Sequence, residues 1–195
     1  MPNLTDKQYK ISLLGDGAVG KTSLRRNYLG ETFKANYNMT LGADFATNYI
    51  TVDGISIMMV IWDLAGQPRF NVVREVYYRG TKGALLVYDL SRPETYENLA
   101  NWVAELYKNN RMQKVPIVLI GNKADLRGSD YSTIPAKYGE DYAQRLSEWS
   151  GYTVPYIETS AKLGDNVANS FESLVRQILE QGQVSIVKRP LRREN

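Results

Sequence analysis

The 195-residue sequence contains no cysteine and no histidine. The first absence excludes a disulfide framework, a thiolate nucleophile, a cysteine-ligated zinc site and any prenyl or palmitoyl anchor built on Cys. The second removes imidazole as a general base, so hydrolytic chemistry has to rest on carboxylates, amides, a metal or the substrate itself. Long apolar runs are missing too. Met1 to Lys10 is polar and lacks a signal-peptide core, and the longest apolar stretches, near Ile55 to Trp62, fall far short of a membrane span. A net charge of +3 is too small to imply nucleic-acid binding, and no basic face interleaved with stacking aromatics is visible. What remains is a domain expected in the cytoplasm, with no nucleic-acid partner.

With 43% hydrophobic and 23% charged residues, the chain has the composition of an ordinary globular domain. Its length suits a single core that buries roughly 70% of the unfolded surface. Short β-branched runs at Tyr9 to Leu14, Phe45 to Val52, Ile57 to Trp62, Ala84 to Asp89, Ile117 to Gly121 and Pro155 to Glu158 read as strands. Segments of helical spacing lie between and after them: Lys21 to Leu29, Phe70 to Arg79, Pro93 to Asn109, Pro135 to Trp149 and Asn166 to Glu180. The second and third strands flank Asp53-Gly54 like a hairpin, which gives a mostly parallel sheet with one antiparallel edge. In such sheets ligands bind beyond the carboxyl ends of the strands. From Gly182 to Asn195 helical periodicity fades and Lys188, Arg189, Arg192 and Arg193 gather, so the domain is expected to span 1–182 and a flexible basic tail 183–195.

Gly15-Asp16-Gly17-Ala18-Val19-Gly20-Lys21-Thr22 fits G-x-x-x-x-G-K-[ST] between an apolar strand and a helical segment. Glycine allows backbone N–H groups and a helix N-terminus to surround phosphate oxygens, with Lys21 adding a point charge. Thr22 would offer its hydroxyl to Mg²⁺. This loop leaves ATP and GTP undecided. Asn122-Lys123-Ala124-Asp125, directly after an apolar strand, selects between them: the Asp125 carboxylate presents two acceptors to the ring N–H and amine of guanine, donors that adenine lacks on that edge.

At these residues, together with Thr40, Asp63-Leu64-Ala65-Gly66-Gln67 and Thr159-Ser160-Ala161-Lys162 in the same order, the sequence resembles the Ras superfamily of small GTPases from Tyr9 to Leu179. The resemblance implies an α/β fold of the three-layer P-loop NTPase type, a small G-protein with six strands, one of them antiparallel, and about five helices. It puts Thr22, Thr40 and Asp63 around Mg²⁺ and the Gly66 N–H on the γ-phosphate. Gln67 would orient the attacking water, with Lys21 and Thr40 beside it in the catalytic set. The nucleotide set is Gly15 to Ser23, Phe33, Tyr37, Thr40, Gly66, Asn122, Lys123, Asp125, Ser160, Ala161 and Lys162. Within it Phe33 packs on guanine, Lys123 covers the ring and the Ala161 N–H bonds the guanine carbonyl. GTP and GDP are then the substrate and the bound nucleotide. The partners implied are effectors that read loops 33–45 and 63–80, an exchange factor and an activating protein, all meeting a monomer.

Tyr37 to Phe45, Trp62-Asp63, Gln67 to Phe70 and Tyr77 to Gly80 are most similar to the Rab branch, in which Phe45, Trp62 and Tyr77 match an aromatic triad presented to effectors. The same rings could instead fill the core beside the loops. Three departures stand out. No cysteine ends the chain, so a lipid anchor is not expected, and membrane association is at most weak attraction through the basic tail or through partners. Pro68 follows Gln67 and either biases it toward extended angles or merely starts the next helix. Phe33 to Asp44 holds Lys34 but no arginine, which points to slow intrinsic turnover. Two other readings stay open: a P-loop ATPase or nucleotide kinase, against which Asn122 to Asp125 argues, and a constitutively nucleotide-bound scaffold with negligible hydrolysis.

Overall fold

The computed structural model describes residues 7–31 and 40–187. In chain order the elements are β1 (Lys7–Leu14), α1 (Lys21–Tyr28), β2 (Ala43–Val52), β3 (Ile55–Leu64), α2 (Asn71–Tyr78), β4 (Gly83–Asp89), α3 (Pro93–Glu97), α4 (Leu99–Asn109), β5 (Ile117–Asn122), α5 (Ala136–Ser150), β6 (Tyr156–Thr159) and α6 (Val167–Val187). They build one six-stranded sheet in the order β2-β3-β1-β4-β5-β6. Only β2 and β3 are antiparallel, joined at Asp53 (φ 50°) and Gly54 (φ 76°), the paired positive angles of a hairpin turn whose twist matches its strands. The remaining pairings are parallel.

Because β-strand side chains alternate faces, consecutive residues of the central strands feed two different cores. Ile11, Leu13, Leu85, Val87, Val118 and Ile120 pack with Leu24 of α1 and with Phe171, Leu174 and Ile178 of α6. Leu14, Leu86, Tyr88, Ile117 and Leu119 face the other way, onto Tyr78 of α2, Trp102 and Leu106 of α4 and Leu146 of α5. Each such aliphatic or aromatic side chain contributes about 1.5–3 kcal/mol by leaving water. Covering both faces fixes the strand ends in a row. The chain order reverses around β1, and the loop after β1 opens at that switch point, the usual place for a ligand in an open α/β sheet. No helix among the described residues is long and apolar enough to cross a membrane.

Two elements depart from the periodicity. The helix expected from Pro93 to Asn109 divides at Asn98, which keeps near-helical angles (φ −78°, ψ −5°) while its side-chain amide is committed to Asp16. The last helix runs on to Val187, through Gly182. Once a helix is packed, each added residue gains a hydrogen bond, and one glycine costs only about 1 kcal/mol. Lys188, Arg189, Arg192 and Arg193 of the expected tail lie outside the described residues, as do Phe33, Lys34 and Tyr37.

Candidate functional site

Between β1 and α1 the chain from Gly15 to Gly20 curls tightly. Gly20 takes φ +104°, and a Cβ there would overlap the amide nitrogen of Asn122. Ala18 adopts φ 63°, a left-handed angle that is costly for a residue with a side chain. The resulting loop is stapled from outside. Asn98 Nδ2 (2.8 Å) and Trp102 Nε1 (2.7 Å) donate to the Asp16 carboxylate, and Asn122 Nδ2 donates to the Val19 carbonyl at 2.7 Å. Lys21, 6% exposed, donates from Nζ to the carbonyls of Gly15 (2.6 Å) and Asp16 (2.8 Å). Burial pushes its pKa down to about 8, against the attraction of Asp63 and Asp16. Ser23 follows on the same helix, half-buried.

Three expected metal residues come together from three separate segments. Thr22 Oγ1 donates to Asp63 Oδ2 at 2.5 Å and lies 3.1 Å from Thr40 Oγ1. Asp63 is fully buried, and its other oxygen, Oδ1, has no hydrogen-bond partner. Burial raises its pKa despite the nearby Lys21 charge and the Thr22 bond. Two hydroxyls and a carboxylate with a spare buried oxygen form the oxygen-only donor set suited to Mg²⁺, which keeps water and phosphate oxygens as its other ligands. These residues fit the ion.

Gly66 follows at the end of β3, so close to the Gly15–Gly20 loop that a Cβ would overlap the Asp16–Gly17 backbone. Gln67 sits beside Gly17: its Cγ would lie 3.4 Å from a Cβ placed there. Pro68 opens a 3-10 turn, Pro68–Phe70, that leads into α2, so it occupies a helix start, where a missing N–H costs nothing. Arg74, which sequence reasoning missed, fixes this segment. It is 2% exposed, grips Glu105 through Nε and Nη2 (both 2.9 Å), and donates from Nη1 to the carbonyls of Ala65 (2.8 Å) and Gln67 (2.9 Å). Its guanidinium also stacks on Trp102, 4.4 Å from the ring centroid.

At the other end of the cleft, Asn122 Oδ1 accepts the Thr159 hydroxyl (3.0 Å) and the Ala161 N–H (3.1 Å). That N–H, expected to point at a guanine carbonyl, is therefore directed to Asn122 here. Ser160 Oγ donates to Asp125 Oδ1 at 2.7 Å, which orients the carboxylate. Lys123 takes φ 71° and pairs with Asp89 at 2.6 Å, whereas Lys162 is exposed. Arg127 holds Glu158 by Nε (2.6 Å) and Nη2 (2.5 Å), joining the segment after Asp125 to the strand before Ser160. Neither Asp89 nor the Arg127–Glu158 pair was singled out from sequence. The one available signal was an acid closing the apolar run of β4 at a carboxyl end.

Phe45, Trp62 and Tyr77 stack in series with centroids 5.1 Å apart at each step. Phe45 is 56% exposed, whereas Trp62 and Tyr77 are half-buried and pack against the core, so the row runs from the core to a single ring at the surface.

The sequence profile of the Ras family matches residues 10–180. The Ras-related protein RABA1b of Arabidopsis thaliana is 38% identical over 173 residues, 89% of this chain and 76% of that protein. The Ras-related protein RABA5a of the same plant is 40% identical, covering 89% of this chain and 74% of its own length. The Ras-related protein rab-11.1 of Caenorhabditis elegans is 38% identical, covering 89% and 78% respectively.

Proposed function

The chain belongs to the Ras family, in its Rab branch, and is a GTPase that converts GTP to GDP and phosphate; on that premise we propose that it is a timed switch whose loops 33–45 and 63–80 are read by effector proteins. The observation that carries this reading is the meeting of Thr22, Thr40 and Asp63 within hydrogen-bond reach. Two segments far apart in sequence, one at Thr40 and one at Asp63, converge where the outer phosphate and the metal belong. Losing the γ-phosphate would release both segments together.

In this reading Gly15 to Ser23 hold the phosphates, with Lys21 supplying charge. Thr22, Thr40 and Asp63 hold Mg²⁺, which when bound neutralises the outer phosphate oxygens. Gln67, its backbone carbonyl fixed by Arg74, orients the attacking water, and the Gly66 N–H faces the γ-phosphate. Asn122, Lys123, Asp125, Ser160, Ala161 and Lys162 form the guanine site, Asn122 and Ser160 by positioning its loops and Ala161 by turning its N–H from Asn122 to the base, joined by Phe33 and Tyr37. The exposed Phe45 ring, backed by half-buried Trp62 and Tyr77, supports effector docking there. An exchange factor and an activating protein complete the cycle, turnover without them is slow, and the protein acts as a monomer that reaches membranes only peripherally.

Single-turnover hydrolysis with Mg²⁺, GTP beside ATP, tests the reading. The expected result is tight GTP-specific binding with slow phosphate release that Gln67→Leu abolishes. Tight binding without release would make the protein a static scaffold, and preference for ATP would overturn the guanine assignment.

A further inference from the structure

Asp89 closes β4 between the two loops of the cleft, and its carboxylate is fully buried. Oδ1 accepts the backbone N–H (2.9 Å) and hydroxyl (2.7 Å) of Ser91. Oδ2 receives cations from two different loops, Arg92 Nε at 2.9 Å and Lys123 Nζ at 2.6 Å. Arg92 turns its Nη2 onto the Gly17 carbonyl at 2.8 Å. Lys123 is the second residue of the base-reading tetrapeptide. A continuous line of charge-assisted bonds therefore runs from Gly17 through Arg92 and Asp89 to Lys123.

That line has a consequence at its phosphate end. In a trans peptide, C=O and N–H point in opposite directions, so holding the Gly17 carbonyl toward Arg92 turns the Ala18 N–H the other way. The left-handed angle of Ala18, φ 63°, needs such an external hold. At the base end, the left-handed Lys123 is anchored by the same carboxylate oxygen.

We propose that Asp89 is a positioning residue through which the base-reading loop and the phosphate loop hold one another in register, so that guanine recognition and phosphate binding are coupled. The coupling rests on the assignment of Gly15 to Ser23 to phosphate and of Asn122 to Asp125 to guanine. Asp89 is not among the residues assigned to the nucleotide or the metal; it acts through Arg92 and Lys123.

The test follows release of fluorescently labelled GDP from the full chain in Mg²⁺ buffer, with Asp89→Asn, Arg92→Ala, Lys123→Ala and their combinations. Asp89→Asn is expected to speed release by about tenfold or more, the scale of a lost charge-assisted bond. In that background Arg92→Ala should add less than about twofold, because the shared link is already gone, and Lys123→Ala, which also loses its ring contact, should add less than it does in the parent. Asp89→Glu, which keeps the charge, should restore part of the parent rate. Release within about twofold of the parent for Asp89→Asn would overturn the proposal, as would a lowered melting temperature with unchanged release. If Asp89→Asn does not fold, the Arg92→Ala and Lys123→Ala cycle in the parent decides: effects that multiply independently refute coupling, and a shortfall supports it. Asp125→Asn is measured alongside. If it too releases at the parent rate, the guanine assignment has failed; fast release by Asp125→Asn with normal release by Asp89→Asn removes only the coupling.

Discussion

At the base end of the cleft Asn122 uses both ends of its amide, Ser160 caps Asp125, and Arg127 grips Glu158 with two nitrogens, whereas at the phosphate end Asp63 Oδ1 and two nitrogens of Arg25 are buried with no hydrogen-bond partner. Electrostatics draws the same contrast. Burial lifts the Asp63 pKa and lowers that of Lys21 to about 8, so both charged forms are disfavoured where they stand. At Asp89 and Glu158 burial also pushes upward, but hydrogen bonds from neighbouring cations and hydroxyls outweigh it and hold both carboxyls below the usual range. The base end is satisfied by the protein's own groups and so is pre-organised, the condition for discrimination. In the proposed reading the complement of the charges at the phosphate end is a triphosphate and a divalent cation, a conflict between stability and function.

The largest expected effect tests the base end. Asp125→Asn should reduce the preference for guanine over xanthine nucleotides by about 10⁴, since one acceptor becomes a donor and a buried group loses its partner. Equilibrium titration with both nucleotides measures it; unchanged base preference would break the comparison at its firmer side. Next comes Lys21→Met, which should weaken GDP binding by about 100-fold or more through lost charge-assisted bonds. The same change should leave the nucleotide-free protein within about 1 kcal/mol of the parent, because the desolvation cost of the buried charge is removed together with its bonds to the Gly15 and Asp16 carbonyls. Urea unfolding in chelator checks this. A clear loss of stability would mean that the Gly15 and Asp16 carbonyls already satisfy the lysine.

The tight Gly15–Gly20 loop between strand and helix, the Asp53-Gly54 hairpin and the alternation of strands and helices are legible because each is written in neighbouring residues. The hairpin needs only two positions that tolerate positive φ, and the strands only an apolar run. Arg74 on Glu105 and Arg127 on Glu158 each bridge 31 positions, and Arg92 on Gly17 bridges 75, so no local pattern announces them. The break at Asn98 was hidden for the same reason, its amide being drawn to Asp16 across 82 positions. Periodicity also could not place the Phe45 ring, since an aromatic on an edge strand suits either face. The extension of α6 to Val187 escaped because propagation of an established helix needs little help from sequence.

The third prediction loosens the base end from its rear. Arg127→Ala removes the two bonds to Glu158 and those to Thr133 and the Ile134 carbonyl. As the pair is partly exposed, the expected loss is about 1 kcal/mol in urea unfolding, with faster GDP release and an unchanged choice of guanine. Altered base choice would mean that the brace itself takes part in reading the base.

The smallest effect is one of pH. Burial alone would raise the Glu158 pKa, but hydrogen bonds from Arg127 and Tyr156, with the guanidinium charge, hold it below the ordinary 4.5. A carboxyl whose folded pKa is depressed contributes stability in full above its unfolded value and loses it as pH falls through the folded one. Stability owed to Glu158 should therefore be intact at neutrality and fade only below about pH 4.5. Glu158→Gln, lacking the titrating group, should start lower at neutral pH and show a shallower acid limb in thermal melts of the nucleotide-free protein. Parallel acid limbs for the parent and the variant would mean that the Arg127–Glu158 bonds add nothing beyond neutral contacts, and the contrast between the two ends of the cleft would then rest on Asn122, the Ser160–Asp125 bond and Asp89.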